Sequence, residues 1–141
     1  MALYCGIDPG VHTGLAIWDS DAHRFAEIVT ASIVGAMNIV RQYADGGRDV
    51  RLVVEDARKR TWIPREQNLS QFKGRAMGAG SVKRDCAIWE EFAEYHALPI
   101  QLLPPRKGLT KWDSDAFARV TGWKGRTSNH ARDAAILVFG R

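Results

Sequence analysis

Cys5-Gly6-Ile7-Asp8-Pro9-Gly10-Val11-His12-Thr13-Gly14-Leu15-Ala16-Ile17-Trp18 reads as a strand, a tight turn and a second strand. Apolar residues from Leu3 to Ile7 end in one carboxylate, Asp8, and a second apolar run covers Leu15 to Trp18. Pro9 presets φ for the turn, and Gly10 and Gly14 supply either positive φ or room for close backbone approach. A carboxylate at the inner end of a buried strand is costly unless a cation sits on it. The nearest Lys or Arg in the chain is Arg24. Asp8 is therefore either a chemical group awaiting a partner or a turn carboxylate accepting from the amides of Gly10 to Thr13.

Working outward, residues 3–7, 15–18 and 24–31 are spaced as an antiparallel meander whose second turn is Asp19-Ser20-Asp21. Ile33, Met37, Val40 and Tyr43 fall at helical spacing, and Gly46-Gly47 ends that helix. Residues 50–54 are a β-branched run closing on Glu55-Asp56. A strand reached through a helix is expected to lie parallel to a neighbour.

From Leu69 a helical pattern runs through Phe72, Ala76, Ala79, Val82, Cys86, Trp89 and Ala93, with Gly74, Gly78 and Gly80 inside it. Each glycine costs about 1 kcal/mol against alanine in a helix interior. A bend near 78–80, or close approach of another backbone, is expected there. Residues 99–103 form a short strand, 109–120 a helix ending near Gly122, and Thr127 or Ser128 caps a last helix over 130–139. The order describes one α/β domain over residues 1–141, a mixed five-stranded sheet flanked by helices.

Composition narrows the class. The 141 residues suffice for a core of their own. No apolar run approaches the ~20 residues of a membrane span, and no signal-peptide pattern opens the chain. Cys5 and Cys86 lack a CxxC partner and read as buried thiols of a reducing compartment, which points to the cytoplasm of a bacterium or an infected cell.

The net charge of +4 is unevenly spread. Residues 1–55 hold seven acids against four bases, 56–85 eight bases against three acids, 86–103 three acids alone, and 104–132 seven bases against two acids. Two basic blocks around an acidic segment suit a phosphate-rich partner. The first contains Arg58, Lys59, Arg60 and Arg65 around Trp62, then Lys73, Arg75, Lys83 and Arg84. The second contains Arg106, Lys107, Lys111, Lys124 and Arg126.

Four groups stand at special positions. Asp8 ends the first strand and Glu55 the fourth, while His130 and Asp133 lie three apart at the start of the last helix. That helix is apolar beyond them and packs on the sheet. If the first and fourth strands are neighbours, these groups converge. Paired carboxylates 4 Å apart repel by ~4 kcal/mol at an effective dielectric near 20, a cost that divalent cations remove. Oxygen donors suit Mg²⁺ or Mn²⁺, and a histidine shifts tolerance toward Mn²⁺. Two such ions per site can stabilise both oxygens of a phosphodiester displacement. Taken singly, each residue also has a structural reading: Glu55 pairing with Arg58, Asp133 at a helix N-terminus, His130 as a cap.

In combination the residues resemble the RuvC-type Holliday junction resolvases, within the RNase H-like nucleases. Gly6-Ile7-Asp8-Pro9-Gly10 with Thr13-Gly14 is similar to that family's first motif, Val53-Val54-Glu55-Asp56 to the second and His130-Ala131-Arg132-Asp133-Ala134-Ala135 to the third. The resemblance spans nearly the whole chain and implies an RNase H-like fold. It further implies a homodimer that binds four-way DNA junctions and nicks two strands with Mg²⁺ or Mn²⁺. Asp8, Glu55, His130 and Asp133 would then be metal ligands or catalytic partners, and Lys111 a DNA-binding and catalytic lysine. Arg106 and Lys107 would be further DNA contacts, and the long helix after Glu55 would supply dimer contacts. The family tends to carry an aromatic wedge shortly after its glutamate. Here Arg58 holds that neighbourhood and Trp62 is the nearest aromatic, either stacking on a base or packing beneath its loop. A chain this compact is in keeping with a bacteriophage source.

Rival readings stay open. One is another RNase H-like nuclease acting on broader branched DNA or RNA-containing substrates, and another is a junction-binding protein without catalysis. Nucleotide-dependent phosphotransferases share the Asp-x-Gly and Thr-Gly signature but need two such domains.

Overall fold

The computed structural model describes residues 2–59, 69–105 and 112–141, with the side chains of 69–79 excepted. The chain runs β1 (Ala2–Asp8), β2 (Thr13–Asp19), β3 (Arg24–Ala31), α1 (Ile33–Asp45) and β4 (Asp49–Glu55). A single 3-10 turn (Ala57–Lys59) leads on to α2 (Leu69–Tyr95), β5 (Ile100–Leu103), α3 (Ser114–Thr121) and α4 (Asn129–Val138).

The sheet order is β3-β2-β1-β4-β5. The first three strands are an antiparallel meander, and β4 and β5 are added parallel to β1 and to β4. Strand alternation divides the core in two. Leu3, Cys5 and Ile7 on β1, Leu15 and Ile17 on β2, and Leu52 and Val54 on β4 face α1 and α2, where Val40, Trp89 and Ala93 meet them. Ala16, Trp18 and Val53 face the other way, onto Phe117 of α3 and Ala131, Ala134, Ala135 and Val138 of α4.

The position of α4 is decided by two glycines. A Cβ built on Gly14 would lie 1.9 Å from the carbonyl oxygen of His130, and one on Gly6 would lie 2.1 Å from that of Ala134. Only hydrogen at these positions lets the helix backbone rest on β1 and β2. The room at Gly14 is thus taken by α4 and not held open for a bound phosphate, and neither Gly10 nor Gly14 is in the left-handed region. Gly10 has only ordinary contacts around its Cβ position.

Two helices add detail to the expectation. α2 runs unbroken through Gly74, Gly78 and Gly80, and a Cβ on Gly80 would meet nothing within 4 Å. Among the described residues no close approach explains that glycine. α3 begins at Ser114, because the Asp113 side chain accepts from the Ala116 amide and caps it there; residues 109–111 lie outside the described residues. Its C-cap is Gly122 at φ 75°, where left-handed backbone favours glycine. Among the described residues no helix is long and apolar enough to cross a membrane.

Candidate active site

Asp8 and Glu55 are brought together by the parallel pairing of β1 and β4. The register aligns Ile7 with Val54, so Asp8 and Glu55 follow at adjacent strand ends, roughly 4.8 Å apart in the pairing direction. Ile7 and Val54 both point to the α1/α2 core. By alternation the two carboxylates share the opposite face, the one that α4 covers. A register slip of one residue would turn one acid away. Thr13, fully buried, donates its hydroxyl to the Gly10 carbonyl at 2.7 Å and closes the loop after Asp8.

α4 delivers the imidazole. Of the two candidate caps, Ser128 holds the position: its Oγ accepts from the Ala131 amide at 3.0 Å. Thr30 of β3 bonds to the same hydroxyl, which ties the start of α4 to the sheet. His130 follows in the first turn, and its Nδ1 lies 3.1 Å from Asp8 Oδ2. An ionised Asp8 only accepts, so the shared hydrogen belongs on Nδ1 and the lone pair is left on Nε2. Among the described residues, an imidazole is thus one partner of Asp8. His12, exposed on the β1–β2 loop, brings a second imidazole whose ring centroid is 6.5 Å from that of His130. Asp133 is half-buried one turn along α4.

Beside Glu55, the pattern Glu-Asp-x-Arg builds an ion cluster. Asp56 is buried at 2% exposure and receives the Arg58 fork, Nε to Oδ1 and Nη2 to Oδ2, both at 2.9 Å. The Arg58 amide adds a third bond at 2.9 Å, and its Nη2 also reaches Glu90 of α2. Burial pushes the Asp56 carboxyl up, but the Arg58 hydrogen bonds and charge outweigh it and hold the group below the usual carboxylate range. Asp56 and Glu90, rather than Glu55, are the acids that Arg58 is shown to pair with. The buried thiol of Cys86 lies under the Glu55 carbonyl at 3.6 Å.

The basic residues divide by location. Lys124 and Arg126 are exposed on the turn leading into α4. Lys83 and Arg84 are exposed on α2, across the sheet from α4. Lys59 is exposed, with its ammonium on the Leu102 carbonyl at 3.1 Å. Arg60, Trp62, Arg65, Arg106, Lys107 and Lys111, and the side chains of Lys73 and Arg75, lie outside the described residues. Arg132, one of the seven bases of the second block, is buried at 8% exposure and presents no charge to a partner.

The donor types at this rim suit a hard divalent cation. Among the described residues, no group of three or more His, Cys, Asp or Glu side chains is placed to hold a metal ion.

An antiparallel meander extended by two parallel strands, with helices on both faces, defines an RNase H-like α/β fold. No family model matches the chain, and no curated protein matches it. Among solved structures, T. thermophilus RuvC in complex with Holliday junction substrate is similar over 96% of this chain and 89% of that one, with a TM-score of 0.54 at 20% identity. This chain has the RuvC fold.

Proposed function

We propose that this protein is a structure-selective DNA endonuclease that nicks two strands of a four-way junction and works as a homodimer. The observation that carries the reading is the Asp8–His130 contact at 3.1 Å, formed beside the strand end that bears Glu55. The RuvC fold, seen in a protein bound to Holliday junction substrate, supports the same assignment. Exposed Lys124 and Arg126 on the turn into α4 suit the phosphates of such a substrate.

Asp8, Glu55, Asp133 and His130 are the residues that would hold Mg²⁺ or Mn²⁺, two ions per site. When bound, such ions supply positive charge to the oxygens of the displacement. Asp8 fixes the ring and tautomer of His130. The Nε2 lone pair would then hold such an ion or accept a proton from the attacking water. Glu55, parallel to Asp8 at the next strand end, places a second acceptor on the same face. Lys111, Arg106 and Lys107 would act as further DNA contacts, and Trp62, the aromatic nearest in sequence to the position of the family's wedge, would stack on a base or pack beneath its loop.

A mobile four-way junction, a flap, an RNA–DNA hybrid and plain duplex, each incubated with Mg²⁺ or Mn²⁺, test the reading. Paired symmetric nicks confined to the junction are expected. Cleavage of the hybrid instead would reassign the substrate, and junction binding with no nick under either ion would remove catalysis.

A further inference from the structure

Arg132 lies on α4 two residues from His130, and its guanidinium is spent on Trp112 and on the run from Thr127 to Asn129. Nε donates to the Trp112 carbonyl at 3.0 Å. Nη1 donates to the Thr127 carbonyl at 2.7 Å and to Thr127 Oγ1 at 2.8 Å. Nη2 donates to Asn129 Oδ1. Among the described residues all of its partners are neutral oxygens. A guanidinium holds its donors in one rigid plane. The fork therefore restricts how these segments lie relative to one another.

Those segments are the chain entering the Asp113 cap of α3, the end of the basic turn that carries Lys124 and Arg126, and the first turn of α4 that carries His130. Buried charge without an acidic partner is a poor way to stabilise a fold, since a well-packed apolar side chain does at least as well. What the fork adds is relative position.

Resting on the junction-binding reading above, we infer that Arg132 is a positioning residue. It holds the Lys124/Arg126 turn at a set distance from the Asp8–His130 pair. Phosphates gripped by the turn then present a neighbouring phosphodiester to that pair. With the fork removed, the turn still carries its charges but no longer places them on the same phosphates.

The salt dependence of binding separates this role from a loss of folded protein. The slope of log K against log[salt] counts phosphate contacts, at about 0.9 per phosphate, and a folded fraction held constant over the salt series, as circular dichroism checks, does not alter it. Fluorescence anisotropy on a four-way junction, in metal-free buffer over a salt series, gives the slope for wild type, Arg132→Met and the double variant Lys124→Ala/Arg126→Ala. The slope of Arg132→Met is expected to fall by about one to two, as in the double variant. Adding Arg132→Met to that variant should lower it no further. A wild-type slope in Arg132→Met overturns the inference, whatever the loss of affinity. Thr127→Val removes one acceptor and keeps the guanidinium, so it serves where Arg132→Met does not fold. A smaller fall in slope is expected there, and an unchanged slope in folded Thr127→Val overturns the inference equally. A wild-type chain that binds no junction removes the functional reading and this inference with it.

Discussion

His130 Nδ1 and Asp8 Oδ2 meet at 3.1 Å across 122 positions of sequence. The contact joins the end of β1 to the first turn of α4, and it gives Asp8 a partner from outside its own motif. Asp8→Asn keeps an oxygen acceptor for the imidazole and removes the charge. Junction cleavage is expected to fall on the order of 10²–10⁴-fold, with junction affinity within about threefold of wild type. Added Mn²⁺ should raise the melting temperature of the wild type and leave that of Asp8→Asn unmoved. Equal Mn²⁺ shifts in both chains would exclude Asp8 as a ligand.

The approach of α4 to the sheet tolerates no side chain at Gly14, where a Cβ would come within 1.9 Å of the His130 carbonyl. Gly14→Ala is expected to cost roughly 1–3 kcal/mol by overpacking, and to lose cleavage even at temperatures where it is folded. Gly6→Ala meets the Ala134 carbonyl farther along the helix. Its stability loss should be similar. Urea denaturation and junction cleavage on the two variants check both statements.

The Arg58 fork on buried Asp56 makes a pH-dependent contribution to stability. Asp56 is held below the usual carboxylate range in the folded chain. Its contribution is therefore complete above the unfolded value of about 3.9, and is lost as pH falls through the lowered folded value. Arg58→Met strands the carboxylate and should cost about 1–3 kcal/mol at pH 7. Asp56→Asn should flatten the acid limb of the stability curve. Matching acid limbs in wild type and Asp56→Asn would contradict the assignment.

Both cysteines are buried. Burial pushes the Cys5 thiol up to about 12 and raises that of Cys86 as well. Thiolate is the reacting species, so neither should be alkylated by iodoacetamide at pH 8 in the folded protein, and both should react in denaturant. Rapid labelling of either thiol in the native chain would show that its site opens.

Much of the architecture was legible because local chemistry and fold agree. Alternation and turns marked β1 to β3, and the crossover through α1 marked β4 as parallel to a neighbour; the structure makes that neighbour β1, which sets Asp8 beside Glu55. The choice between Thr127 and Ser128 as cap was not legible, since both hydroxyls suit the role. In the fold Ser128 caps α4 while Thr127 serves Arg132. The start of α3 was placed too early because apolar spacing from Leu109 continued the helical pattern, whereas the Asp113 cap at Ala116 sets where helical hydrogen bonding begins.

What the sequence by itself determined were the strand ends bearing Asp8 and Glu55, the helix start bearing His130 and Asp133, and their likeness to a nuclease family. The elements rest on periodicities of two and 3.6 and on turn residues, which act over a few positions, and the likeness rests on the motifs around those residues. Only the tertiary structure decided that Asp8 is met by His130, that Gly14 makes room for the backbone of α4, and that Arg132 turns inward while Lys124 and Arg126 face out. Each depends on how closely a helix lies on a sheet. That distance is set by side chains missing at two glycines far from α4 in sequence, and no local pattern encodes it.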